Sequence, residues 1–204
     1  MELPSACGTA TKHSKTQQVG LMMFPELKTN RLTLRQFQQD DLKSICEYIS
    51  NFEVSKMLTV VPHPYTKAVG EWWLNHIKET PLSEETNWVI ESEHGFSGVI
   101  GIRIPEDGFP RIGYWLGQPF WGKGYMSEAT EAVVNYCFEE LGSTKVTSGA
   151  FEENDGSLNV LAKNGFQTIG SEPEKSRARG EEEVTLINVE LTRHLWEAMR
   201  AVTV

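Results

Sequence analysis

The chain has 204 residues and a net charge of −9, from 19 basic and 28 acidic side chains. Apolar residues make up 39% and charged residues 23%. That balance fits a globular chain rather than a disordered one, and the acidic excess argues against a nucleic-acid backbone as main partner.

Cys7, Cys46 and Cys137 are odd in number and widely spaced, which excludes a disulfide framework and predicts no metal site. The helical patterns around Cys46 and Cys137 make both buried structural thiols. No apolar run reaches membrane-span length. Met1 to Gln18 lacks the apolar core of a signal peptide, so a cytoplasmic location is expected.

Residues 1–28 are rich in Ser, Thr, Gly and Gln and read as a flexible N-terminal extension; residues 29–204 read as a single domain. Arg31 to Gln36 alternates polar and apolar residues, as a strand does. Asp40 and Asp41 cap a helix to about Ser50, with Leu42, Ile45, Cys46 and Ile49 on one face. Thr66 caps a second helix over Lys67–Glu79, whose Val69, Trp72, Trp73 and Ile77 form its packing stripe. Asn87 to Glu91, Phe96 to Ile104 and Arg111 to Leu116 form an antiparallel meander. A helix follows from Tyr125 to Leu141, with an apolar stripe through Ala129, Val133 and Cys137; Gly142 ends it.

Further on, Lys145 to Ala150 is a strand and Asn154 to Asn164 a short helix. Phe166 to Gly170 is a strand, Ser171 to Glu182 a charged loop, and Val184 to Leu191 the last strand. Thr192 to Ala201 is an amphipathic helix or tail. The sum is an α/β (α+β) domain: a mixed, mainly antiparallel sheet with helices on both faces.

The most informative stretch runs from Ile112 to Ala129, where a strand gives way to a glycine turn and a long helix. The first amides of a helix have no partner inside it, and the helix dipole adds partial positive charge. Such an end binds phosphate. Gly122 and Gly124 let the backbone come close to a ligand. Gly117 to Gly124 nearly fits the nucleotide-binding pattern G-x-x-x-x-G-K-[ST], but Gly124 has no hydroxyl to hold magnesium. The stretch reads as a site for a phosphate-bearing cofactor, with a glycine-rich turn that holds no ligand as the alternative.

Trp121-Gly-Lys-Gly-Tyr-Met126, followed by Ser127-Glu-Ala129, resembles the acyl-coenzyme A loop of the GNAT acetyltransferases. The nearest resemblance is to the ribosomal-protein N-terminal acetyltransferase (RimJ/RimL-like) branch. Arg31-Leu-Thr-Leu-Arg35, Pro64-Tyr-Thr66 with Trp72, and Asn154-Asp-Gly-Ser157 with Lys163-Asn-Gly-Phe166 match the same family in order. The resemblance covers about Arg31 to Leu191. It implies a twisted sheet whose strands splay to admit coenzyme A.

It also implies residue roles. Main-chain groups of Trp115, Leu116 and Gly117 would pair with the pantetheine. The amides of Trp121, Gly122, Lys123, Gly124, Tyr125 and Met126 would hold the pyrophosphate, with Lys123 adding charge. Asn154 would bond the pantetheine arm, and Ser157 would lie near the sulfur and protonate the leaving thiolate. The general acid tyrosine of the wider family would fall at Leu161, which has no proton to give. Arg111 stands where many branch members carry a glutamate. Glu152 and Glu153 are then the nearest acids by topology and the candidate bases, while Tyr114 lines the amine site or packs.

The implied function is transfer of an acetyl group from acetyl-coenzyme A to a primary amine, by direct attack in a ternary complex. The acceptor is a protein N-terminus or a small molecule, and the enzyme a monomer or homodimer. No nucleic acid, membrane or metal is expected. The alternative is a non-catalytic acyl-coenzyme A sensor, because Arg111 and Leu161 are what lost catalytic groups would leave.

Overall fold

The computed structural model describes residues 23–202; residues 1–22 of the extension expected over residues 1–28 lie outside them. Fifteen elements follow one another, of which eight strands form one sheet. They are β1 (Leu27–Lys28), β2 (Thr33–Arg35), α1 (Asp41–Ile49), α2 (Phe52–Ser55), α3 (Lys67–Glu79), β3 (Glu85–Ser92), β4 (Gly95–Arg103) and β5 (Arg111–Leu116). A 3-10 turn at Gln118–Phe120 precedes α4 (Tyr125–Glu139), β6 (Lys145–Phe151), α5 (Asp155–Lys163), β7 (Gln167–Lys175), β8 (Glu183–Thr192) and α6 (Arg193–Val202). The sheet order is β1-β2-β3-β4-β5-β6-β8-β7, and β5 with β6 is its parallel pair.

Each face of the sheet buries its own core. Leu34, Trp88, Ile100, Ile112 and Val146 meet Ala129, Val133 and Cys137 of α4 on one face. Val89 and Val99 meet Leu42, Ile45, Ile49 and Leu74 on the other. The alternation of β5 follows: Ile112 and Leu116 join the α4 core, while Trp115 packs against the core under α1 and α3. Cys137 is fully buried as expected, but Cys46 is only half-buried.

Four sequence expectations change. Leu27–Lys28 belongs to the sheet edge rather than to an extension, paired with Leu34 and Thr33. Asp40 makes no side-chain cap on α1. Asp41 instead anchors β2 to α1, gripping Arg35 at 2.8 and 2.9 Å and accepting the Gln38 N–H at 2.7 Å. Trp72 is 65% exposed and stacks on His76, so only Trp73 of that pair packs, edge-on to Phe37. The charged loop begins later, because β7 runs to Lys175 against β8.

The site is made by what β5 and β6 fail to do. β5 pairs with β4 over its whole length, and β6 pairs with β8 over its whole length. Toward each other they pair only at Arg111↔Thr147. The Thr147 N–H donates to Pro110 O at 2.8 Å, and the Ser148 hydroxyl to Ile112 O at 2.9 Å; beyond that point the strands part. The inner edges of Gly113–Leu116 and Gly149–Phe151 are left open to a ligand that can complete the ladder.

Candidate active site

The parted strands open into a cleft of about 1070 Å³, at the upper end of the size of a small-molecule site. It is lined from both faces of the sheet: Tyr114, Leu116 and Ala150 on the α4 side, Arg111, Gly113 and Gly149 on the other. The opening is therefore a passage through the sheet.

Its α4 end is an anion cradle. Gly122 and Gly124 take φ of +73° and +79°, a region that costs a side chain dearly. Gly124 caps α4 with no side chain, so the first-turn amides keep their donors for a ligand. Nothing stands within 4 Å of where a Gly122 side chain would begin. Met126 is buried in the core under the loop, which leaves the loop uncrowded. These features fit a pyrophosphate.

A clamp that joins two of the matched stretches, Arg31 of one and Glu128 of the other, braces this loop. The Glu128 carboxylate accepts from the Thr29 hydroxyl at 2.6 Å, the Arg31 N–H at 2.9 Å and the Arg31 Nε at 2.7 Å. Arg31 Nη1 donates on to Lys123 O at 2.9 Å, and the guanidinium lies over the Tyr125 ring. Burial pushes the Glu128 carboxyl up, but its three donors together hold it below its ordinary value.

Toward the middle of the cleft, Asn154 caps α5 by accepting the Ser157 N–H at 3.0 Å. That uses its side-chain oxygen and leaves its amide nitrogen for a ligand. The Ser157 hydroxyl donates to the Tyr114 phenolic oxygen at 2.9 Å, and the phenol donates to Ser157 O at 3.3 Å. Burial pushes the Tyr114 phenol up to about 12, against the smaller opposite effect of the Ser157 bond. Leu161 is 1% exposed and points into the core.

The other residues named from sequence divide by position. Trp115, Leu116, Trp121, Gly122, Gly124, Tyr125, Met126, Asn154, Ser157 and Glu153 all line the cleft. Gly117, Lys123 and Glu152 are outside that lining. The Gly117 N–H donates to Ser97 O at 3.0 Å, turning it toward β4, and the Lys123 ammonium lies over the Phe120 ring. The Trp121 indole N–H donates to Leu116 O at 2.9 Å, tying the loop to the end of β5. Among the described residues, no cluster of His, Cys, Asp or Glu is arranged to hold a metal.

The far wall is a bridge over the sheet. The Ser176 hydroxyl donates to Leu58 O at 2.8 Å, the Arg177 N–H to Thr59 O at 3.0 Å and Arg179 Nε to Lys56 O at 2.9 Å. Arg179 also binds Glu153 and holds its carboxyl below its ordinary value.

The family model for the acetyltransferase (GNAT) domain matches residues 31–167. The uncharacterized N-acetyltransferase p20 of Bacillus licheniformis is 29% identical over 159 residues, 76% of this chain and 89% of its own. The uncharacterized N-acetyltransferase YoaA of Bacillus subtilis is 30% identical over 152 residues, 72% of this chain and 86% of its own. Mycobacterium smegmatis RimJ, solved in complex with CoA-disulfide, superposes with a TM-score of 0.71 at 17% identity, covering 83% and 87% of the two chains. The parted strands, the glycine-capped helix and these relatives agree: the chain belongs to the GNAT acetyltransferase family and is an acetyl-coenzyme A-dependent N-acetyltransferase.

Proposed function

We propose that the amine attacks the thioester directly, in a ternary complex with both substrates in the cleft, and that Ser157 supplies the proton for the departing thiolate. The observation that carries this is the passage between β5 and β6, lined from both faces of the sheet. It lets a donor enter over α4 and α5 while an acceptor meets it from the opposite face. Bound acetyl-coenzyme A would supply an activated acyl carbon and a thiolate leaving group.

The chain's own groups then do four things. The amides of Trp121 to Met126 hold the pyrophosphate, steadied by Arg31 and Glu128. The open edge of β5, where Tyr114 and Leu116 turn their main-chain groups away from β4, orients the pantetheine arm, aided by the Asn154 amide. The acceptor is a primary amine that lies over Gly113, where nothing stands within 4 Å of a side-chain position. Alignment of the two reactants supplies much of the rate.

Ser157 swings its O–H from Tyr114 to the sulfur and gives that proton to the departing thiolate. Tyr114 turns its own O–H to the serine oxygen, and the pair takes a proton back from solvent water to restore both hydroxyls. Glu153, tied to Arg179, makes a weak base, since proton transfer favours a group that titrates near the working pH. We assign it to holding the bridge over the cleft; the amine sheds its proton to solvent water.

Initial-rate kinetics test this reading. Double-reciprocal plots at several fixed amine concentrations should intersect, as a ternary complex requires. Parallel lines, or a trapped acetyl-enzyme, would sink it in favour of a covalent route.

A further inference from the structure

All eight arginines of the chain are among the described residues. Arg31, Arg35, Arg179, Arg193 and Arg200 each face a carboxylate within 4.0 Å. The other three, Arg103, Arg111 and Arg177, have no such partner among the described residues, and all three line the cleft. The chain has nine more acids than bases, yet its three arginines without a carboxylate partner gather at one cleft.

Two of them form a built pair. Arg103 of β4 and Arg111 of β5 are direct cross-strand partners, so their side chains leave the same face of the sheet side by side. Like charges in that relation are destabilising unless something neutralises them. Glu85 is the partner of Arg103 on its other side, but its carboxylate takes the Asn87 amide at 2.6 Å and reaches neither arginine. Arg111 is held in place: its guanidinium lies over Gly149, 2.9 Å from where a side chain there would begin, and donates to Asn188 Oδ1 at 3.2 Å. Asn188 is fixed in turn by its amide donating to Glu172 at 2.7 Å.

Acids that share the lining do not neutralise the pair. Glu53 binds Lys56, Glu153 binds Arg179, and Glu174 accepts the Lys175 N–H; Asp155 opens α5. Along β5 the face away from α4 reads Arg111, Gly113, Trp115: a cation, an open floor and an aromatic wall.

We propose that the acceptor is a small primary amine that also carries a carboxylate, bound by Arg111 and Arg103 while its amine lies over Gly113. The inference rests on the reading of this cleft as the acetyl-transfer site. Guanidinium forks match a carboxylate in shape and charge. On the Gly113 face a polyamine meets Arg103 and Arg111 rather than a counter-charge.

The test is a matched amine series with the full chain: 4-aminobutanoate, 4-amino-1-butanol and 1,4-diaminobutane, with their two- to six-carbon homologues. At the best length the carboxylate should exceed the alcohol at least about tenfold in kcat/KM, and the diamine by more, because loss of a charged partner costs that much transition-state binding. Arg111→Gln and Arg103→Gln should each collapse the carboxylate-to-alcohol ratio toward one, while coenzyme A affinity and the thermal midpoint hold. A preference for the diamine or alcohol overturns the proposal, as does a ratio that survives both substitutions. Preferred acetylation of an acidic peptide over every small amine overturns it as well.

Calorimetric titration of 4-aminobutanoate into the enzyme–coenzyme A complex separates this inference from the function beneath it. Binding that Arg111→Gln abolishes supports the anion site even if no amine is turned over. Absence of binding to the unaltered enzyme contradicts it even if other amines are acetylated.

Discussion

Ser157 and Tyr114 lie 43 residues apart and meet as a reciprocal pair, the serine hydroxyl donating to the phenol at 2.9 Å and the phenol donating to the serine carbonyl at 3.3 Å. The pair gives the cleft a proton donor with a second donor behind it. Ser157→Ala should lower kcat about 100-fold, the lower end of what a positioned acid contributes, with little change in acetyl-coenzyme A affinity. Tyr114→Phe removes only the relay and should cost less. Equal losses in kcat and donor affinity for Ser157→Ala would mean that the serine binds rather than protonates.

The phenol also makes a pH prediction. Burial raises Tyr114 to about 12 from an ordinary value of 10.0. Between those two values the unfolded chain has released a proton that the folded chain keeps. Stability from this group is therefore complete below pH 10 and lost as pH rises toward 12. Burial also pushes Tyr65 up to about 12 and raises Tyr136, so phenolate absorbance should show several late-ionising tyrosines, of which Tyr114→Phe removes one. Activity should climb with pH as the amine deprotonates, with no fall from Tyr114 before about pH 11.

Arg31 and Glu128 make the loop expensive to disturb. Glu128→Ala strips three donors of their acceptor and should cost about 1–3 kcal/mol of stability in denaturant unfolding. Because the Glu128 carboxyl sits below its ordinary value, its contribution is present above the ordinary carboxyl range and lost as pH falls through its lowered value. Arg31→Ala should raise the dissociation constant of coenzyme A several-fold and leave kcat at saturating donor near that of the unaltered enzyme. Unchanged donor affinity in both variants would remove the clamp from the binding account.

Gly124 tests the loop's shape. At φ +79° an added side chain costs about 1–2 kcal/mol, and its first carbon would stand 3.3 Å from Arg31 Nη2. Gly124→Ala should weaken coenzyme A binding while melting only a few degrees lower. The same substitution at Gly113, in ordinary extended backbone with open space, should spare donor binding and raise the amine KM.

Much of this was legible from spacing alone. The period of apolar residues and the Thr66 cap located α3 at Lys67–Glu79, and the cap bond is there, from the Val69 N–H at 3.3 Å. β5 and the start of α4 also fell where the glycine turn put them. β7 was hidden past Gly170 because it is an edge strand, exposed along nearly its whole length, so no apolar alternation marks Ser171 to Lys175 and Pro173 is tolerated there. α2 spans one turn, too short to show a period. At the site, an anion-binding helix start could be read because glycines and a helix start are local signals, while coenzyme A as its ligand came from the resemblance. The partner of Ser157 could not, since a 43-residue separation leaves no pattern. Arg103 opposite Arg111 lay in between: each stands four residues from Asp107 in the turn that joins β4 to β5, and hairpin register would have paired them.

The most direct measurement is to quantify free thiol and acetylated amine together in one reaction with acetyl-coenzyme A and a carboxylate-bearing amine. The account predicts equal amounts of the two products, both falling about 100-fold in rate with Ser157→Ala. Acetyl-coenzyme A that binds the cleft and releases thiol with no acetylated amine, or no thiol at all, would contradict it.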